Sequence, residues 1–287
     1  MNNSLINSSF KYCKEIARSH YENFPVASFF IPKEKRNYIY SIYAFARAAD
    51  DYADEPGIRS KEDRLNLLDE WNQKLINCYN GKLYDPIFIA LNKTITDCNI
   101  PVEPLENLLK AFKQDVIKNR YENFDEVLAY CVNSANPIGR LMLMIFGYNN
   151  ERMNRLSDKI CTALQLTNFW QDAAVDLEKD RIYLPQDDMK RFGYSEDDLR
   201  GKTLNNNFKQ LLQFEIEKTQ ILFDEGKELI EITKTHNDLK KLSQQLVLTW
   251  YGGTGILNKI KENNYDIFNN RPKLKFFDKL NLLAKLI

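Results

Sequence analysis

The pattern of apolar and polar positions along the chain predicts long helices throughout. In residues 104–119 the apolar side chains recur at three- and four-residue steps, the period of a helix with one buried face: Leu105, Leu108, Leu109, Phe112 and Val116. Strand-like alternation is absent from the sequence over any useful length. Prolines and glycines set the boundaries. The first segment ends near Phe24-Pro25, and the second runs from Ile31-Pro32 to Pro56-Gly57. Further helices are predicted over about 61–80, 85–98, 124–148, 151–178, 204–234 and 237–263, with a loop at RIYLPQDD.

Composition supports an all-α fold in one domain. The 287 residues are 44% apolar and include only 10 glycines and 9 prolines, too few for a turn-rich β protein. No repeat, low-complexity tract or long linker interrupts the pattern. We therefore expect residues 1–287 to form a single helical domain.

Charge and cysteine content narrow the class of protein. The 40 basic and 40 acidic residues cancel, which gives no indication of a nucleic-acid partner. The five cysteines form no CxxC pair, so neither a disulfide framework nor a zinc site is predicted. The N-terminus lacks the apolar core of a signal peptide, and no run is apolar enough to span a membrane. These features predict a cytoplasmic protein with reduced thiols.

The C-terminal sequence KLKFFDKLNLLAKLI has a different character. It interleaves Lys273, Lys275, Lys279 and Lys285 with Phe276, Phe277, Leu280, Leu283 and Leu286. Such a basic amphipathic segment suits peripheral contact with an anionic membrane, here the inner membrane, and it equally suits a last helix packed on the protein itself. The pattern alone leaves both alternatives open.

Two pairs of aspartates carry the chemistry. Asp50 and Asp54, and then Asp172 and Asp176, are spaced i, i+4, so each pair projects from one helix face. Like charges at this spacing repel each other, and apolar neighbours surround both pairs. Something must therefore offset the repulsion, and a bound cation would do so.

The polar neighbours extend each acidic face and indicate a ligand. Tyr43 and Arg47 precede the first pair, and Gln165 and Asn168 precede the second, again at three- and four-residue steps. Carboxylate and amide oxygens are ligands of Mg²⁺, which shares its site with substrate phosphates. The pattern predicts metal-assisted loss of a diphosphate, with arginines on the remaining phosphate oxygens and aromatic side chains around the cation left behind.

These residues resemble a known family. DDYAD at 50–54 and DAAVD at 172–176, within YAFARAADDYAD and LTNFWQDAAVDLEKDRIYLP, are similar to the two aspartate motifs of the squalene and phytoene synthases, which join prenyl diphosphates head to head. The resemblance covers nearly the whole chain. HYENFPVASFFIP, YCVNSANPIGRLML and LTWYGGTGIL resemble the bacterial hydroxysqualene synthases of hopanoid biosynthesis.

The resemblance implies a fold, a reaction and a set of site residues. The fold would be the helical bundle of isoprenoid (class I terpene) synthases with a central cavity. The enzyme would ionise presqualene diphosphate with two or three Mg²⁺ ions and quench the cation with water, without NADPH. The implied metal ligands are Asp50, Asp54, Asn168, Asp172 and Asp176. The implied substrate-binding residues are His20, Phe24, Tyr43, Arg47, Gln165, Asn168, Arg181, Tyr183 and Arg271.

Two departures from the family pattern keep other functions open. Val132 stands where many relatives carry a tyrosine, and Gly252-Gly253 replaces a tyrosine of the late helix, which puts the transfer of a catalytic tyrosine in doubt. One alternative is a squalene, dehydrosqualene or phytoene synthase that joins two prenyl diphosphates. The other is a non-catalytic assembly factor of the same fold, although four intact aspartates with Asn168 and Arg47 argue against eroded motifs.

Overall fold

The described part of the chain is helical. The structure, a computed structural model, describes residues 2–19, 31–54, 60–83, 85–275, 278 and 282–286. The helices are α1 (Asn3–Ser19), α2 (Lys33–Asp54), α3 (Lys61–Tyr79), α4 (Pro86–Cys98), α5 (Glu103–Ile117), α6 (Phe124–Ser134), α7 (Asn136–Ile145), α8 (Glu151–Glu178), α9 (Gln186–Arg191), α10 (Glu196–Arg200), α11 (Asn206–Gly226), α12 (Glu228–Lys234) and α13 (Lys240–Glu262). Within these ranges the β structure is a lone parallel bridge between Arg120 and Ile182. The all-α prediction is confirmed.

Helix starts follow local sequence signals. Ser60 and Asp63 form a reciprocal capping box at the start of α3. Asp85 accepts a hydrogen bond from the Ile87 amide at the start of α4, where Pro86 occupies the first helical position. The predicted helices over 61–80, 85–98 and 151–178 are confirmed within two residues of their ends.

Four predicted boundaries are wrong. The helix expected over 124–148 is two helices, because Pro137 lacks the N–H that would continue α6 and instead sits in the first turn of α7. The helix expected over 204–234 breaks at Lys227, after Gly226 packs closely on Ile160. The end of RIYLPQDD is the first turn of α9, and a 3₁₀ turn over Asn237–Leu239 precedes α13.

The described residues group into two compact units. The first comprises Met1–Ile117 and Pro137–Asn154, and the second comprises Lys118–Asn136 and Arg155–Ile287. In the first, α1 packs on α2 and α4, and α2 also packs on α3 and α5. In the second, α13 packs on α11 and α12. The single domain over 1–287 stays a prediction.

Each unit has its own apolar core. In the first, Trp71 stacks on Phe45, with ring centroids 6.0 Å apart, and its indole N–H donates to the Phe45 carbonyl oxygen. In the second, Trp170 is fully buried, and its indole N–H donates to the Thr219 hydroxyl at 2.7 Å. These tryptophans fix α2 against α3 and α8 against α11.

The described part of the C-terminal tail lies against α13. Lys259 pairs with Asp278 at 3.0 Å, and the Lys285 ammonium lies 5.4 Å from the centroid of the Tyr251 ring. Leu274 approaches the surface of α13 at Gly252 and Gly255. These contacts favour packing on the protein itself for these residues. None of the described helices is long and apolar enough to cross a membrane.

The cysteines agree with the prediction of reduced thiols. All five lie in described ranges and are free, with Cys13, Cys78 and Cys131 buried. Burial raises the pKa of each of these three thiols to about 12. They are therefore inert apolar packing groups at neutral pH.

Candidate functional site

The first aspartate motif occupies the C-terminal half of α2. Tyr43, Arg47, Asp50 and Asp54 follow one another at helical spacing and are all half-buried. Arg47 Nη1 lies 3.2 Å from Asp50 Oδ2, and Nη2 contacts the Asp51 carboxylate. Burial alone would lower the pKa of Arg47, but these carboxylates outweigh it and raise the pKa. The arginine thus neutralises part of the acidic stripe.

A buried arginine fixes the end of α2. Arg64 on α3 is 7% exposed, and its Nη1 donates to the Ala53 carbonyl oxygen at 2.7 Å. Carbonyl groups at a helix C-terminus have no intrahelical partner, and a cation is favourable there. Asp54 is the next residue, so Arg64 sets the position of the last carboxylate of the motif.

An apolar cavity continues from the acidic stripe within the first unit. It has a volume of about 90 Å³, and its wall is almost entirely apolar. Side chains from α2 and α7 line it, among them Ile39, Ile42, Tyr43, Ala46, Leu141 and Ile145. Burial raises the pKa of Tyr43, which lies between the cavity and Arg47 along α2. One helix therefore presents an apolar surface followed directly by a charged one.

The second aspartate motif lies near the C-terminus of α8. Asp172 and Asp176 are half-buried, Asn168 is exposed one turn earlier, and Gln165 is half-buried two turns earlier. Arg271 faces Asp172 with two nitrogens: Nη2 lies 2.9 Å from Oδ2, and Nε contacts Oδ1. Hydrogen bonding to Asp172 raises the pKa of Arg271 above that of a free guanidinium group. The adjacent Gln171 donates to the Pro272 carbonyl oxygen at 2.6 Å and holds this segment on α8.

The residues after α8 form a tight turn back toward residues 119–122. The Arg181 amide donates to the Asp176 carbonyl oxygen at 3.0 Å, and the Ile182 amide donates to the Asn119 carbonyl oxygen at 3.0 Å. Arg181 is half-buried and Tyr183 is buried. The sequence placed Arg181 and Tyr183 beside the second motif, and this turn shows how the backbone places them there.

Four aromatic side chains cluster behind this turn in the second unit. Tyr183 stacks on Phe169, with centroids 3.7 Å apart and planes 7° from parallel. Tyr121 and Tyr130 complete the cluster, 5.5 Å and 5.8 Å from the Tyr183 ring. Sequence reasoning named Tyr183 but did not assign Tyr121, Tyr130 or Phe169 to the site. Tyr121 and Tyr130 lie in the RYENF and YCVNS segments, which have no helical spacing relative to DAAVD, so spacing could not indicate them. Phe169 lies three residues before Asp172 on α8, and that spacing could have indicated it.

Other predicted residues and contacts are placed as follows. His20 and Phe24 lie outside the described residues. Within each unit the structure brings an arginine onto an aspartate of the motif, Arg47 onto Asp50 and Arg271 onto Asp172. Across the described ranges, no group of three or more Asp, Glu, His or Cys side chains is arranged to hold a metal ion by itself. Mg²⁺ in proteins commonly combines one or two carboxylates with substrate phosphates, so a diphosphate could supply the other oxygen ligands of a metal bound by these motifs.

Comparison with known proteins identifies the family. The family model for squalene/phytoene synthase matches residues 17–278. The chain belongs to the squalene/phytoene synthase family. The crystal structure of squalene synthase HpnC from Alicyclobacillus acidocaldarius is similar with a TM-score of 0.85 and 38% identity, covering 91% of this chain and 96% of that chain. A dehydrosqualene synthase in complex with a ligand also has a TM-score of 0.85, with 25% identity over 98% of this chain and 96% of that chain.

Curated relatives are similar over almost the full length. The phytoene synthase of Arthrospira platensis is 27% identical over 285 residues, which is 95% of this chain and 90% of that protein. The 15-cis-phytoene synthase of Synechococcus elongatus is 25% identical over 287 residues, 96% and 91% of the two proteins. The protein is therefore an enzyme of the squalene/phytoene synthase family, whose members act on prenyl diphosphates, and it has the all-α isoprenoid synthase fold.

Proposed function

We propose that this enzyme ionises presqualene diphosphate in the presence of Mg²⁺ and captures the cation with water to give hydroxysqualene. The C–O bond to the diphosphate breaks, and its electron pair leaves with the diphosphate. The cyclopropylcarbinyl cation rearranges, a water oxygen forms the new C–O bond, and the water loses a proton to solvent. The step consumes no reductant, so NADPH is not required.

The observation that carries this proposal is the order of surfaces along α2. A cavity wall of Ile39, Ile42 and Ala46 is followed within the same helix by Arg47 and Asp50. An isoprenoid diphosphate has the same order, an apolar chain attached to a dense anionic group. Burial of the part of the chain that enters this cavity of about 90 Å³ would contribute about 25 cal/mol per Å² of apolar surface, and the charged end of the helix would contact the leaving group.

The residues that would hold the metal fit its chemistry. Asp50, Asp54, Asp172 and Asp176 offer carboxylate oxygens and Asn168 an amide oxygen, the hard donors that Mg²⁺ prefers. When bound, the metal supplies Lewis-acid stabilisation of the charge that develops on the diphosphate. Arg47, Arg181 and Arg271 would donate to phosphate oxygens, since guanidinium groups match their geometry. The Tyr121, Tyr130, Phe169 and Tyr183 rings are suited to stabilise positive charge through their faces.

Support for the hydroxysqualene product comes from the resemblance of three sequence segments to the hydroxysqualene synthases. The 38% identity to squalene synthase HpnC supports the family and does not distinguish this product. The phytoene synthases and the dehydrosqualene synthase among the similar proteins favour a second candidate, the joining of two prenyl diphosphates. The two candidates differ in substrate. Either one would use the same aspartates.

An assay with purified protein, Mg²⁺ and presqualene diphosphate, without NADPH, separates the candidates. Hydroxysqualene and released diphosphate, identified by mass spectrometry, are the expected products. Presqualene diphosphate or a C30 or C40 polyene formed from farnesyl or geranylgeranyl diphosphate would instead establish the second candidate. No turnover of any of these diphosphates would favour the assembly factor.

Peripheral membrane contact through the basic tail is a separate proposal. Lys273 and Lys275 are exposed and available to an anionic surface, although Lys285 packs on Tyr251. Co-sedimentation with anionic vesicles, compared with neutral vesicles, tests it. Equal sedimentation with both would contradict it.

A further inference from the structure

The turn that ends α8 holds a residue in an unusual backbone conformation. Asp180 has φ of +55°, in the left-handed region that glycine adopts most easily. Its amide donates to the Leu177 carbonyl oxygen at 2.9 Å, and the Arg181 amide donates to the Asp176 carbonyl oxygen at 3.0 Å. This pair of hydrogen bonds is a Schellman motif, which usually has glycine where Asp180 stands. Two proposed site residues, Asp176 and Arg181, are the partners in its longer hydrogen bond.

Arg120 grips this turn from the neighbouring segment. Its Nη2 donates to Asp180 Oδ1 at 2.7 Å, and its Nη1 donates to the Asp180 carbonyl oxygen. The other edge of the guanidinium group donates to Glu196, with Nε 2.8 Å from Oε1 and Nη2 3.1 Å from Oε2. The Arg120 side chain is 19% exposed and that of Asp180 is 56% exposed, so the number of charge-assisted bonds, more than burial, holds this pair together.

Two more side chains donate hydrogen bonds to the Asp180 carboxylate. Arg200 Nη2 donates to Oδ1 and Asn119 Nδ2 donates to Oδ2, each at 2.8 Å. Hydrogen bonding to Arg120 and then to Arg200 lowers the pKa of Asp180. A strained conformation persists only where surrounding contacts determine it. The Asp180 side chain makes the left-handed backbone conformation unfavourable, and hydrogen bonds from Arg120, Arg200 and Asn119 hold that same side chain.

Backbone hydrogen bonds extend the attachment beyond the turn. The Gln186 amide donates to the Tyr121 carbonyl oxygen, and the Asp187 amide donates to the Glu122 carbonyl oxygen, each at 2.9 Å. The segment between them and the turn carries Tyr183. Arg120 therefore belongs to a segment, residues 119–122, whose hydrogen bonds to residues 180–187 fix the backbone between Asp176 and Tyr183.

We propose that Arg120 and Asp180 form a clamp that positions Asp176 and Arg181 for diphosphate binding. Neither clamp residue touches substrate; each acts through the turn. The inference rests on the proposed role of the second aspartate motif. A glycine at position 180 would form the turn without strain and would keep only the Arg120 contact to its carbonyl oxygen. It would lose the carboxylate that Arg120 Nη2 holds, so backbone strain and side-chain positioning are separable by mutation.

The test measures binding of inorganic diphosphate with Mg²⁺ by titration calorimetry, alongside KM and kcat. Arg120→Gln and Asp180→Gly should each weaken diphosphate binding and raise KM at least tenfold, and the double variant should be no weaker than the weaker single variant. Asp180→Gly should unfold at the same urea concentration as wild type or higher, because glycine relieves the strain. Arg120→Lys should bind diphosphate more tightly than Arg120→Gln and less tightly than wild type, because lysine keeps the positive charge but lacks the planar set of guanidinium donors.

Lys159→Gln is the matched control. Lys159 makes an exposed ion pair with Glu225 at 2.7 Å from the same helix, α8, 13 residues before Asp172. Its loss should leave diphosphate binding unchanged. Wild-type binding in both Arg120→Gln and Asp180→Gly, or multiplicative losses in the double variant, would overturn the clamp. No binding by the wild-type protein would instead remove the proposed function on which the clamp rests.

Discussion

A fully buried glutamate on α11 makes the stability of this enzyme depend on pH. Glu215 has no exposed surface, and its closest cation is Lys218, with Nζ 3.0 Å from Oε2. Lys218 is shared with Asp188 at 2.8 Å and lies 3.7 Å from the centroid of the Phe124 ring. Burial raises the pKa of Glu215 to about 8; the Asp188 carboxylate adds to this, and Lys218 opposes it. The folded protein thus keeps a proton on Glu215 at neutral pH.

The change in unfolding free energy with pH follows from the difference between the pKa of Glu215 in the folded and unfolded states. The pKa of Glu215 lies near 4.5 in the unfolded chain and about 8 in the folded protein. Between these values the folded state binds more protons than the unfolded state, so stability falls as pH rises. At about 1.36 kcal/mol per pKa unit, the loss attributable to Glu215 between pH 4.5 and pH 8 is about 4 kcal/mol. Glu215→Gln mimics the protonated acid and should remove this loss.

Urea denaturation at pH 5 and pH 8 measures the loss of stability that we attribute to Glu215. The free energies of unfolding of wild type and Glu215→Gln should agree within about 1 kcal/mol at pH 5, and the variant should be more stable by about 4 kcal/mol at pH 8. Glu217→Gln, an exposed position on the same helix, should change stability by less than about 0.5 kcal/mol at both pH values. If wild type and Glu215→Gln lost the same stability between pH 5 and pH 8, Glu215 would be ionised in the folded protein and Lys218 would fully compensate its charge.

Three further predictions test the metal ligands, the cavity and a close helix contact. Asp172→Asn should abolish Mg²⁺-dependent turnover in the product assay, while its circular dichroism and urea midpoint stay close to wild type; turnover at the wild-type rate would remove Asp172 from the metal ligands. Ala46→Phe should fill the cavity of about 90 Å³ and raise KM for a C30 diphosphate at least tenfold, and an unchanged KM would show that the chain binds elsewhere. Gly226→Ala should cost about 1–3 kcal/mol in urea denaturation, because the new methyl group would lie 2.6 Å from Ile160 Cγ1 and 3.0 Å from the Leu156 carbonyl oxygen. Gly252→Ala is its control: the nearest atom lies 3.8 Å away, so an equal cost there would refute the steric explanation.

Helical periodicity predicted the long helices well because each buries one continuous apolar face. The breaks were harder. Pro137 marks one break, yet the apolar pattern continues across it from α6 into α7, so periodicity alone predicts a single helix there. The break after Gly226 had no such signal, because the contact that makes glycine necessary there comes from Ile160, far away in sequence.

The same limit separates what was and was not predicted of the site. Asp50, Asp54, Asp172 and Asp176 could be proposed from the sequence because each pair lies within two turns of one helix. Arg120 and Tyr121 precede the second motif by about 50 residues, and the role proposed for them depends on hydrogen bonds to the turn at Asp180 and to the segment after it. Helical spacing relates only residues of one helix, so it cannot reveal residues that are far apart in sequence and meet only in the folded protein.

The acidic pairs also show how a protein tolerates carboxylates that only a ligand would fully neutralise. The sequence required a cation to offset the repulsion, and the structure provides one for each pair from the chain: Arg47 at Asp50 and Arg271 at Asp172. Both ion pairs are partly exposed, so the contact of Arg47 with Asp50 contributes little to stability and the two-nitrogen contact of Arg271 with Asp172 contributes somewhat more. An arginine held this weakly can turn from a carboxylate to a phosphate oxygen at small cost. The same two residues would thus maintain charge balance in the free enzyme and bind the leaving group during the proposed reaction.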